Sequence, residues 1–166
     1  MNSRTLSGRR HLAPLLTLLV VGIGLSACSS AEETTRDESG AIAEANENAS
    51  VFEMEIGDCY DVPSETEAVE TLPAIPCGDP HDLEVYHEIV LDDGDYPGEA
   101  AVTAQGDEAC IGEFATFVGL DFESSRLDYL SFYPTAESWE QGDRVVSCLV
   151  GDQTTKTTGS LAGIAE

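Results

Sequence analysis

The stretch Leu83-Glu84-Val85-Tyr86-His87-Glu88-Ile89-Val90-Leu91 decides the fold. Leu83, Val85, Ile89 and Leu91 recur with a period of two, and Glu84, Tyr86 and Glu88 fall opposite them. That alternation is an antiparallel strand with one covered face. His87 is in phase with the apolar side, where a histidine packs as a hydrogen-bonded core residue. The turn-forming run Asp92-Asp93-Gly94-Asp95 ends the strand.

A face that must be covered calls for a helix, and one follows. Pro97 suits a first helical position and Glu99 the first turn. Cys110, Ile111, Phe114, Phe117 and Val118 fall on one stripe at a 3.6-residue period, and Gly119 is a natural stop. Gly106-Asp107 interrupts the pattern, which allows two shorter helices in place of one. Working outward, Phe52, Met54 and Ile56 alternate with Glu53 and Glu55 as a first strand, whose phase slips at Gly57-Asp58. Val69 to Ile75 reads as a second strand, which Pro73 and Pro76 confine to an edge or a short segment. Leu127 to Tyr133 and Val145 to Val150 are apolar on both faces, as central strands are. Thr135 caps a short helical turn through Trp139 that ends near Gly142, and Thr157 to Leu161 is a last edge strand. The fold class is α+β: an antiparallel sheet of about five strands with one main helix packed on one face.

Five cysteines add two constraints. Cys59 and Cys77 lie on the first two strands, which can be neighbours. Cys110 lies on the helix stripe that faces the sheet, and Cys148 lies within a strand of that sheet. Of three possible connectivities this layout selects Cys59–Cys77 and Cys110–Cys148. Zinc is the competing use of four cysteines, but the close pairs of a zinc site are missing from the sequence. Disulfides place the domain in an oxidising compartment.

The fifth cysteine sets the address. Arg4, Arg9 and Arg10 form a basic start, Leu12 to Leu25 an apolar run, and Ser26-Ala27 a small-residue cleavage site before Cys28. This is the order of a lipoprotein signal peptide over residues 1–27, with lipid attached at Cys28. The apolar run is short of the ~20 residues a span needs. Two acyl chains of a diacylglyceryl group give the paired hydrophobic signal that stable anchoring requires. The expected location is the extracytoplasmic face of the cell membrane.

Charge is equally one-sided. The 166 residues carry 7 basic and 32 acidic side chains, a formal charge of −25. Loss of the three leader arginines leaves 4 basic and 32 acidic residues, a formal charge of −28. Such a surface repels nucleic acid and attracts basic proteins or divalent cations, and it also keeps an exported protein soluble. Residues 28–50 are acidic and lack aromatic residues, so they are expected to form a flexible tether. Residues 51–166 then make the one folded domain.

Several segments resemble the septum formation family of actinobacterial envelope proteins. These are Ile56-Gly57-Asp58-Cys59-Tyr60, the run from Ile75-Pro76-Cys77-Gly78-Asp79-Pro80-His81 to Tyr86, and Tyr96-Pro97-Gly98. Cys110, Tyr133-Pro134-Thr135-Ala136-Glu137-Ser138-Trp139, Gly142-Asp143-Arg144-Val145-Val146-Ser147-Cys148 and the closing Gly159-Ser160-Leu161 continue the match. The resemblance spans about residues 51–163 and implies no catalytic residue, cofactor or ligand.

The chemistry-bearing residues point the same way. His81 and His87 lack a second ligand pair at metal-binding spacing. Asp92-Asp93-Gly94-Asp95 with Glu99 fails the calcium-loop pattern. Serine-nucleophile and phosphate-loop motifs do not occur in the sequence. Tyr133, Trp139 and Arg144 form the candidate interaction surface, since Trp and Arg are common interface anchors. The competing role for that trio is structural: a single tryptophan in a small domain is usually core, and an arginine among so many acids pairs with a carboxylate. The expectation is a lipid-anchored, non-catalytic interaction module of the cell envelope, with an envelope or division protein as partner. A solute- or divalent-cation-binding lipoprotein is the alternative, and an envelope hydrolase a third.

Overall fold

The computed structural model describes residues 31–62 and 70–166. The leader and Cys28 lie outside them. The elements run β1 (Asn46–Ser50), β2 (Cys59–Tyr60), β3 (Thr71–Ile75), β4 (Leu83–Val90), α1 (Glu99–Val118), β5 (Asp128–Phe132), α2 (Ala136–Glu140) and β6 (Val145–Gly151). The strands form one curled antiparallel sheet in the order β1-β3-β2-β4-β6-β5. With α1 on one face, the fold is α+β, with six strands where the sequence indicated about five.

A bulge in β4 divides the core in two. Val85 pairs with Leu149, but His87 pairs with Cys148, so the register slips at Tyr86. Before the slip, Leu83 and Val85 pack with Tyr60, Leu72 and Leu149 on one side. After it, Ile89 packs with Val102, Trp139 and Val146 on the other. Tyr86 itself turns toward α1, joins Phe114 and Cys110, and donates its hydroxyl to the Cys110 carbonyl (2.6 Å). The single apolar face read from the sequence is therefore two faces joined by one extra residue.

Helix α1 is unbroken. Val102, Gly106, Cys110, Phe114 and Val118 form its buried stripe, spaced every four residues, and Ile111 is exposed. Gly106 belongs to the stripe because a Cβ there would sit 3.1 Å from Val146 Cγ1, so its missing side chain lets α1 lie close to β6. The helix starts at Glu99 behind Gly98, two residues later than Pro97 indicates. It stops at Gly119, which adopts the left-handed conformation (φ 86°) and donates its N–H to the Ala115 carbonyl. Thr135 and Ser138 cap α2 reciprocally as a capping box.

Three further expectations are corrected and one is narrowed. Phe52, Met54 and Ile56 are not a strand: Val51–Glu53 is a short 3-10 turn, and Phe52 and Ile56 are 61% and 59% exposed. Of the two alternatives for β3, the short segment holds and the edge does not: it has five residues and lies between β1 and β2. The Pro73 carbonyl accepts from the Asp61 N–H (2.9 Å), so the donor that Pro73 lacks falls on the β2 side, just past the last β2–β3 pair, Tyr60–Ala74, and not against β1. β5 is an edge strand and not a central one. Thr157–Leu161 is not a strand; it makes one isolated bridge, His81 to Thr157.

Residues 31–50 are not a free tether either. β1 is a strand of the sheet, with Ala49 and Ile42 buried in its core. Arg36 grips the buried Asp58 with two hydrogen bonds (2.6 and 2.7 Å). Asp58 also accepts from the Glu55 N–H (2.9 Å) and the Tyr60 hydroxyl (3.2 Å), so the carboxylate is fully engaged.

Candidate functional site

Tyr133, Trp139 and Arg144 are brought together at one end of the sheet. Trp139 is only 6% exposed and packs on Leu91, Val102 and Val146, so it is core and not surface. Its indole N–H donates to the Gly94 carbonyl (2.9 Å), and Tyr96 meets it edge-on at 5.6 Å. This ties the Asp92–Asp95 turn to α2 and gives that turn a structural role. The Arg144 guanidinium lies 3.7 Å from the centre of the indole ring and closes its outer face. Arg144 Nη1 donates to the carbonyls of Trp139 (2.9 Å) and Asp143 (2.6 Å), and its Nε faces the exposed Asp93 at 3.4 Å. Tyr133 is half-buried against the same cluster. The trio is thus a capped core, with Asp93, part of Tyr133 and the rim of Arg144 presented outward.

His81 is fully buried. Its Nδ1 faces the Asp79 carbonyl at 2.9 Å, and a carbonyl only accepts, so Nδ1 carries the proton. Nε2 then accepts from Thr157 Oγ1 (3.3 Å). Backbone bonds in both directions between His81 and Thr157 (2.9 Å each) complete a clasp on the C-terminal segment. His87 is half-buried opposite Cys148. Among the described residues no group of three or more His, Cys, Asp or Glu is placed to hold a metal ion.

Glu84 is the residue whose placement the sequence concealed. It falls opposite Leu83 and Val85, where solvent is the natural expectation, yet it is 3% exposed. Its carboxylate accepts from the Ser160 hydroxyl (2.7 Å) and the Leu161 N–H (2.6 Å), and Leu161 is buried against α1. Gly159 N–H donates to the Cys77 carbonyl, and Gly163 and Ala165 bond back to Phe117 and Val118 at the end of α1. Lys156 pairs with Asp61 at 2.6 Å, which raises its pKa above the ordinary lysine value. The last eleven residues are a strap holding α1 to the sheet. Nothing in their sequence period marks this.

Both disulfides form as the layout indicates, Cys59–Cys77 and Cys110–Cys148. The second joins α1 to β6 in the core, and Cys77 of the first is half-buried. The best-formed depressions among the described residues are open hollows of about 390 and 460 Å³. The first lies beside Glu44–Asn48 and the second beside Arg126, Asp128 and Asp152.

No curated protein and no solved structure matches the chain. The family model described as septum formation matches residues 24–148, from within the leader to the last disulfide cysteine. The Gly159-Ser160-Leu161 likeness falls beyond that match. The match takes in the Arg36 segment and both cross-links and covers well over half of the 166 residues, and the chain belongs to the septum formation family.

Proposed function

We propose that the protein is a lipid-anchored, extracytoplasmic, non-catalytic interaction module that serves septum formation at the cell envelope. Membership of the septum formation family is the observation that carries this reading. The basic-then-apolar leader ending at Cys28 supports the anchor. The disulfides support an oxidising compartment. The chemistry-bearing side chains support a binding role: His81, Glu84, Asp58 and Arg144 are each consumed in holding segments together. Its partner is an envelope or division protein, held by surface contact. Crosslinking in intact membranes, followed by mass spectrometry, tests this. The wild-type chain is expected to capture envelope or division proteins, and the Cys28→Ala chain to leave the membrane and lose them. A Cys28→Ala chain that stays membrane-bound with the same crosslinks overturns the reading.

A further inference from the structure

The geometry assigns a partner-binding edge to β5, and we propose that it takes an extended peptide segment alternating apolar residues with lysine or arginine. The inference rests on the interaction-module reading and deepens it by naming where the partner binds and its chemistry. β5 is the last strand of the sheet. Tyr129 N–H bonds to the side chain of Asp128 (2.9 Å), so it points away from β6. By strand alternation Ser131 likewise directs its N–H and C=O out of the sheet, where no described residue meets them.

Edge strands are ordinarily blunted by lysine, proline or a bulge. β5 contains none of these and pairs in unbroken register with β6. Leu130 and Phe132 share a face with Val145 on β6 and Val90 on β4, as the cross-strand pairs fix. Val90 is 76% exposed, Leu130 42% and Val145 40%, so this face carries exposed apolar side chains, Leu130 on the edge strand itself and Val145 and Val90 beyond its last pair, Phe132–Ser147. Asp128 lies at its start and Glu88 beside it on the same face. Behind the strand, Tyr129 donates its hydroxyl to Asp107.

Charge fixes the occupant. All four basic residues among those described are already paired: Arg36 with Asp58, Arg126 with Asp152, Arg144 with Asp93 and Lys156 with Asp61. β4, β5 and β6 carry no lysine or arginine. A second copy of a chain with formal charge −25 is repelled from this edge, whereas a cationic strand is drawn to it. Strand addition supplies affinity through the Ser131 N–H and C=O and the Tyr129 C=O, the Tyr129 N–H being held by Asp128, and side chains facing Leu130 and Phe132 supply selectivity.

The test titrates the 15N-labelled processed chain, in detergent, with an amidated seven-residue peptide of alternating valine and lysine. A peptide of the same composition with valines and lysines in separate blocks is the control. Shifts are expected at Tyr129–Phe132, Val90 and Val145, with the block peptide at least tenfold weaker. Ser131→Pro and Leu130→Asn leave the charge unchanged, and each is expected to weaken binding tenfold or more with a folded spectrum retained. Equal binding of the two peptides, or shifts spread over the acidic surface, overturns the proposal. So does an unliganded protein whose own sedimentation changes with Leu130→Asn, since the edge then serves a second copy. None of these failures touches membrane retention or crosslinking through Cys28, so the broader reading fails or stands separately.

Discussion

Arg36→Ala is the sharpest perturbation of the fold. Arg36 sits among residues whose composition spells a linker, yet its guanidinium closes two hydrogen bonds on a carboxylate that is almost fully buried. Removing one partner of a buried ion pair costs about 3–5 kcal/mol, mostly through the charge left behind. Asp58 retains the Glu55 N–H and the Tyr60 hydroxyl, so the lower end applies, about 3 kcal/mol. At roughly 4 °C per kcal/mol for a domain of this size, the melting temperature falls by about 12 °C. Urea unfolding followed by circular dichroism measures the free-energy loss and a thermal melt the temperature shift, and the Arg36→Ala/Asp58→Asn double variant is expected to recover part of the loss. A change under about 0.5 kcal/mol, the range of ordinary surface substitutions, refutes the packing of residues 31–50 on the sheet.

The remaining predictions concern the strap, the cross-links and alkali. Leu161→Ala removes a buried side chain from the α1 face, and a loss of about 2–4 kcal/mol in chemical unfolding is expected. Unchanged stability would mean the strap is ornamental. The loops closed by Cys59–Cys77 and Cys110–Cys148 have sequence separations of 18 and 38. The chain-entropy model makes them worth about 3.2 and 3.9 kcal/mol. Limited reduction with alkylation mapped by mass spectrometry should label Cys77 before Cys110, because both members of the second pair are inside the core. Burial, then the charge of Asp58, raises the Tyr60 pKa, and burial raises that of Tyr86. Their contribution is full below the ordinary tyrosine value near pH ~10 and is lost as pH rises toward their folded values. Melting temperature should therefore fall above about pH 10, less steeply in Tyr60→Phe; an unchanged slope counts against Tyr60.

Much of the sheet was legible where side chains alternate against a covered face. β6, α1, the cap of α2 and both disulfide pairings could be read because burial there imposes a period, and Cys110 falls on the helix stripe. The two-sided run of β5 was legible as a strand, but two-sided apolarity does not separate an edge from a centre when a curled sheet half-covers its last strand. β1, Asn-Glu-Asn-Ala-Ser, was illegible because only Ala49 and Ser50 are buried, and neither announces a strand. Phe52, Met54 and Ile56 misled by alternating without a face to cover: only Met54 is buried. The β4 bulge was hidden because Tyr86 serves either side equally well. Trp139 and Arg144 were legible as partners in space, while the choice between interface and capped core depended on what lay on each side of the indole. Glu84 and the strap gave no signal, since one buried carboxylate accepting two neutral donors has no sequence period.

The anchored, exported state is the claim on which the functional account turns. Intact-mass analysis of the chain extracted from membranes is the direct measurement. The expected species begins at Cys28, carries a diacylglyceryl thioether on that sulfur and holds the four remaining cysteines in two disulfides. A chain that begins at Met1, or one with an unmodified Cys28 or free thiols at Cys59, Cys77, Cys110 and Cys148, contradicts it.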